Sequence, residues 1–214
     1  MEIRVNPTRM ELNRLKKRLK MAERGHKLLK DKRDELIRQF LILVRKNKEL
    51  REHIEKELSA AFAKFLLARA VMPSETMEEA LMYPTRRLSL QITKQNIMSV
   101  YAPKMQWDEE EASEGEGASI YPYGFADTSA ELDTSIETLS GILPSLLELA
   151  EVEKSVQLLA EEIEKTRRRV NALEYVLIPK LQETSRYITM KLDENERGAL
   201  TRLMKIKDVV RAKM

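Results

Sequence analysis

From Leu12 to Ile54 the chain advances along one stripe in alternating steps of three and four residues. The stripe reads Leu12, Leu15, Leu19, Ala22, His26, Leu29, Arg33, Leu36, Phe40, Leu43, Asn47, Leu50 and Ile54, without a slip over six heptads. A repeat averaging 3.5 residues keeps one face of an α-helix against a partner helix and predicts a left-handed coiled coil. After Ile54 the stripe continues as Leu58, Ala61, Phe65, Ala68 and Met72, with one extra step of four that locally unwinds the supercoil. Pro73 disfavours helical geometry at Met72 and ends the run. Asn6-Pro7-Thr8 opens it, with Asn6 as cap and Pro7 in the first turn. The N-terminal helix is therefore expected over 7–72, roughly 100 Å at about 1.5 Å per residue.

A second long helix is expected over 128–211, entered through Thr128-Ser129. Its stripe runs Leu149, Val152, Val156, Leu159, Ile163, Thr166, Val170, Leu173 and Leu177. It resumes as Leu181, Thr184, Ile188, Leu192, Asn195, Ala199, Leu203, Ile206 and Val210. Extra steps of four follow Leu177, Ile188 and Ala199, so this end drifts towards an 11-residue period. Pro144 and Pro179 fall inside the helix, and each is expected to bend it. Between the helices, 73–130 breaks the pattern with four prolines and three glycines. Alternating polar and apolar residues predict a short β-hairpin near 86–102, turning at Gln95-Asn96, with an acidic loop at 108–117. The expected fold is mainly α: a long antiparallel two-helix coiled coil with a small hairpin-containing insert at the end distal to the termini.

Composition agrees with long helices. Charged residues make up 34% of the 214 and aromatics 5%, too few for a thick globular core. The net charge of +3 conceals a polarity. Residues 1–33 carry a balance of +8 and 197–214 of +5, whereas 108–164 carry −15. Antiparallel pairing gathers both basic ends at one tip, and Arg9, Arg14, Lys17, Arg24, Arg202 and Lys205 are the candidate charges for a surrounding acidic sleeve.

Three polar residues occupy the stripe: His26, Arg33 and Asn47. Such seats penalise misaligned pairings and so control register; the other reading is a place where a third chain meets the hairpin. No catalytic signature accompanies them. There is no phosphate-binding glycine loop and no cysteine. His26 and His53 are the only histidines, and 27 residues of helix, about 40 Å, separate them. No metal, cofactor or catalytic residue is therefore expected. Neither a secretory leader nor a membrane-spanning helix is expected, since the first 20 residues lack an apolar core and no 18-residue stretch is free of charge. The basic run Arg14–Lys20 has three readings: a solvated face, a nucleic-acid contact, or a positive tip inside a protein collar.

Two segments carry a family resemblance. The first is Asn6-Pro7-Thr8-Arg9-Met10-Glu11-Leu12, continuing through Leu15–Leu19 and Ala22–Leu36. The second is Lys165-Thr166-Arg167-Arg168-Arg169-Val170-Asn171-Ala172-Leu173-Glu174-Tyr175-Val176-Leu177-Ile178-Pro179. Together they resemble the D subunits of the V-type and A-type rotary ATPases. The resemblance implies a non-catalytic central rotor shaft, one copy per complex. It implies as partners the A and B subunits of the catalytic hexamer, the F subunit, and the funnel-shaped C (or d) subunit above the membrane ring. The shaft would couple ATP hydrolysis or synthesis to H⁺ or Na⁺ transport, on the cytoplasmic face and without direct membrane insertion. Residues 45–72 and 131–165 are the expected seat of the F subunit. A static coiled-coil tether and a nucleic-acid-binding coiled coil are the alternatives.

Overall fold

A computed structural model describes residues 6–82, 86–111, 120–124 and 128–213. The elements, in order, are α1 (Arg9–Val71), α2 (Ser74–Leu81), β1 (Arg86–Ile97), β2 (Val100–Glu111), α3 (Ala130–Ala172), a π-helical turn (Leu173–Leu177) and α4 (Ile178–Lys213). The fold is mainly α, with long paired helices and one small antiparallel hairpin. It divides into two compact units, one of residues 1–35 with 163–214 and one of residues 36–162.

In the first unit, α1 opens at Arg9 and the cap is Thr8, two residues past the expected Asn6. The Thr8 Oγ1 accepts the N–H of Glu11 at 3.3 Å, the arrangement that satisfies an otherwise orphaned N-terminal donor. Leu15 of α1 packs with Leu181 and Ile188 of α4, flanked by Leu12, Leu19, Ala22 and Leu192. His26 faces Glu174 at 3.5 Å, and Arg9 pairs with Glu196. Partner numbers fall along one helix as they rise along the other, so the pairing is antiparallel. Val170 and Thr166 are buried in the same seam.

The second unit repeats the arrangement with the rest of α1 against α3. Ile54 and Ala61 enclose Ile142, with Leu58, Leu139 and Leu149 around them. Lys46 reaches Glu148 at 2.5 Å and Arg51 reaches Glu153 at 3.8 Å. Small polar residues tighten the contact. Buried Ser135 donates its hydroxyl to the Ala61 carbonyl at 3.4 Å, and buried Ser155 bonds back to the Glu151 carbonyl at 2.8 Å. Where Val156 was expected at the centre of the seam, Ser155 is the more deeply buried residue.

The hairpin is longer than expected. Each strand has twelve residues, and the turn lies at Met98-Ser99, not at Gln95-Asn96. Both turn residues take positive φ, 53° and 71°, as a two-residue turn matched to strand twist requires. Neither is glycine; the Asn96 side chain supports the turn by accepting the Ser99 N–H at 2.9 Å. This register sets Leu90 opposite Trp107 and Ile92 opposite Met105. Apolar and aromatic residues directly across a strand pair stabilise the ladder. The acidic run is correspondingly not all loop: Asp108–Glu111 lies in β2, while 112–117 falls outside the described residues. The carboxylate of Glu151 accepts the Met105 N–H at 2.8 Å, tying the hairpin to α3.

Helix α2 was not expected. Pro73 precedes it in extended geometry, and Met77 and Ala80 drop into a cluster with Ala68, Met72 and Leu132. Tyr123 packs there and donates its hydroxyl to Asp133 at 2.7 Å. Burial, reinforced by the adjacent carboxylate, pushes the phenol well above its ordinary range, so it stays a donor. Tyr123→Phe keeps the ring and strands the carboxylate; it is expected to cost about 1 kcal/mol in chemical denaturation.

Candidate functional site

The first unit holds most of the residues singled out from the sequence. Arg9, Arg14, Lys17, Arg24, Arg202 and Lys205 all lie in this unit, and all are exposed. Arg9 is engaged with Glu196, and Arg14 with Glu11 at 3.4 Å. Exposed pairs of this kind contribute at most about 1 kcal/mol and remain exchangeable.

The seam seats behave differently from one another. Arg33 is half-buried, and its guanidinium turns to Asp34 beside it on α1, at 2.7 and 3.0 Å. Asn47 is half-buried in the second unit. His26 faces the opposite helix, with its Nε2 atom buried and without a hydrogen bond.

The two prolines also differ. Pro144 sits half-buried inside α3, where its missing N–H leaves the Ser140 carbonyl without its helical donor. Pro179 is exposed and lies two residues past the end of the π-helical turn Leu173–Leu177, which the Ile178 N–H closes by reaching back five residues to the Leu173 carbonyl. A π turn absorbs one extra residue. That is how the phase change read after Leu177 is accommodated. It also moves Leu177 out of the seam: Leu177 is 41% exposed, and Ile178, half-buried, lies between Val170 and Leu181.

Sequence reasoning placed Leu203, Ile206 and Val210 in the seam, and the structure does not. Every residue from 193 to 212 is exposed. Leu200, Leu203, Met204, Ile206, Val209 and Val210 are each more than half exposed. The reason is length. Arg9, the first residue of α1, already pairs with Glu196, so α4 runs on past the start of its partner. The signal was present in the sequence: the second helix was expected to be longer than the first. The result is a single-helix end carrying both apolar residues and a basic excess. Among the described residues no three His, Asp or Glu side chains group as a metal site, and no helix is long and apolar enough to cross a membrane.

Because nothing in 197–212 is buried against the rest of the chain, removing 197–214 is expected to leave stability nearly unchanged. The thermal midpoint should move by less than about 3 °C, the equivalent of under about 1 kcal/mol for a chain of this size.

The chain is matched over residues 11–208 by the family model that describes the D subunit of ATP synthase. It is 65% identical to the V-type ATP synthase D subunit of Acetivibrio thermocellus, over 97% of this chain and 92% of that protein. It is 62% identical to the V-type ATP synthase D subunit of Clostridium botulinum (strain Langeland), over 100% of this chain and 98% of that protein. The Clostridium novyi protein of the same description is 61% identical over 97% and 95%. A match across the whole paired-helix region, at this identity and coverage, leaves one conclusion: this chain belongs to the ATP synthase D-subunit family.

Proposed function

We propose that the chain is the central-stalk rotor subunit of a V/A-type ATPase, carrying torque between the A/B catalytic hexamer and the membrane ring. It has no catalytic role of its own and works as one copy per complex on the cytoplasmic face. Its proposed partners are the A, B and F subunits and the funnel-shaped C (or d) subunit. Coupling runs between ATP hydrolysis or synthesis and H⁺ or Na⁺ transport.

The observation that best supports this reading is the unpaired end of α4. Its apolar residues and its cations, Arg202 and Lys205 among them, lie on 193–212, a stretch of α4 in which every residue is exposed. A surface of that kind suits a ring-shaped sleeve, because apolar contact and screened charge hold an axle without a deep latch. Bends at Pro144 and Pro179, expected from the sequence, and the π turn beside Pro179 are proposed sources of the asymmetry that lets one shaft act differently on three equivalent sites.

The F subunit is proposed to sit on 45–72 and 131–165. Phe62 and Leu66, one turn apart on the same face of α1, are exposed apolar residues within that range, as are Leu67 and Val71 on another face. Reconstitution of the complete complex, with the A, B, F and C (or d) subunits and the membrane ring, tests both assignments. Removing 197–214 should leave assembly intact while lowering ATP-driven ion transport in vesicles several-fold relative to ATP hydrolysis. Phe62→Asp with Leu66→Asp should release the F subunit from the purified complex and retain A and B. Undiminished coupling in the first variant, or a retained F subunit in the second, would refute the respective assignment.

A further inference from the structure

We propose that the outer edge of β1 is an open docking edge, to which the F subunit adds an extended strand. The proposal rests on the F assignment made above.

The two edges of the hairpin are unlike. Ile97 and Val100 flank the two-residue turn at Met98-Ser99. In such a turn the flanking pair exchanges both backbone hydrogen bonds, and every second pair after it does the same. The residues between them point their backbone N–H and C=O groups out of the hairpin. On β2 these include Tyr101, Pro103, Met105 and Trp107; on β1 they include Leu88, Leu90, Ile92, Lys94 and Asn96. The β2 edge is closed at its centre. Pro103 has no N–H to offer, and the Met105 N–H already donates to Glu151 on α3. The β1 edge has neither device. No proline interrupts Arg86–Ile97. Among the described residues, nothing outside the hairpin bonds to 88–96, and every residue of that stretch except Ser89 is exposed. A row of unpaired backbone groups is a template for another strand.

The chemistry of the edge selects its occupant. Leu88, Leu90 and Ile92 share one face of β1 and are exposed. The strand also carries Arg86, Arg87 and Lys94 and no acidic residue. The added segment therefore alternates apolar residues on the Leu88–Ile92 face and carries carboxylates. A second copy of this chain does not fit. Its β1 would set three cations against three, and its β2 edge is closed in the same way. The hairpin is tied through Glu151 to α3, inside the range 131–165. It thus continues the proposed seat of the F subunit, whereas the cations proposed to face the collar belong to the other unit. A short strand contact adds to that helix seat and does not replace it.

Hydrogen–deuterium exchange read residue by residue, on the full chain alone and with purified F subunit, tests the edge. Alone, the amides of Leu88, Leu90 and Ile92 should exchange fast, and those of Gln91 and Thr93, inside the ladder, slowly. With F bound, the Leu88, Leu90 and Ile92 amides should slow by at least about tenfold. Ile92→Pro removes one outward donor and leaves the ladder's own bonds in place. It should weaken F binding about tenfold while Gln91 and Thr93 stay slow. Ile92→Val keeps the donor and should change the affinity by less than about twofold. F bound with Leu88, Leu90 and Ile92 still fast would overturn the proposal and leave the F assignment standing. No binding of F to the wild-type chain would overturn both. Slow exchange at those three amides in the chain alone would show the edge already closed, and would overturn the proposal as well.

Discussion

Everything in this chain depends on the antiparallel apolar seam between two helices. The helices carry too few aromatic residues to build a wide core, and the buried side chains lie in a single file: Leu15, Leu181 and Ile188 in one unit, Ile54, Ala61 and Ile142 in the other. A two-helix seam buries about half of each helix surface at best. Stability therefore has to be gathered along its whole length. Small residues such as Ala61, Ser135 and Ser155 let the backbones approach, and exposed ion pairs, Lys46–Glu148 and Arg51–Glu153 among them, line the rim.

The seam was legible because its signal is periodic. A three-four alternation over many turns leaves little choice of structure, and the antiparallel pairing follows from two long helices joined by an irregular insert. The features that stayed illegible are those where two local rules compete. Near Leu177, spacing alone showed that a phase change was needed but not how the backbone would make it. The structure uses a π turn ahead of Pro179, which moves Leu177 outward and Ile178 inward. At the hairpin, Gln95-Asn96 had the composition of a turn. Pairing Leu90 with Trp107 and Ile92 with Met105 instead demands a longer ladder turning at Met98-Ser99. Helix α2 escaped notice because eight residues after a proline carry too few turns for a periodic signal.

The candidate surface was half visible. The basic residues at both chain ends could be counted directly, and the structure puts Arg9, Arg14, Lys17, Arg24, Arg202 and Lys205 in one unit. The apolar residues beside them were misread, because periodicity reports which face of a helix is apolar and not whether a partner covers it. Leu203, Ile206 and Val210 continue the stripe of α4 beyond the point where α1 begins. Self-pairing and partner-binding sequences look alike; only the relative lengths of the two helices tell them apart.

The central claim is that the exposed end of α4 turns inside a collar of catalytic subunits. The chain contains no cysteine, so Leu203→Cys introduces a unique cross-linking point. In a complex assembled with A and B subunits carrying a single engineered cysteine on the collar, oxidation should form a disulfide between shaft and collar. ATP-driven ion transport should then stop and return when the bond is reduced. Transport continuing at full rate through the cross-linked complex would contradict the account.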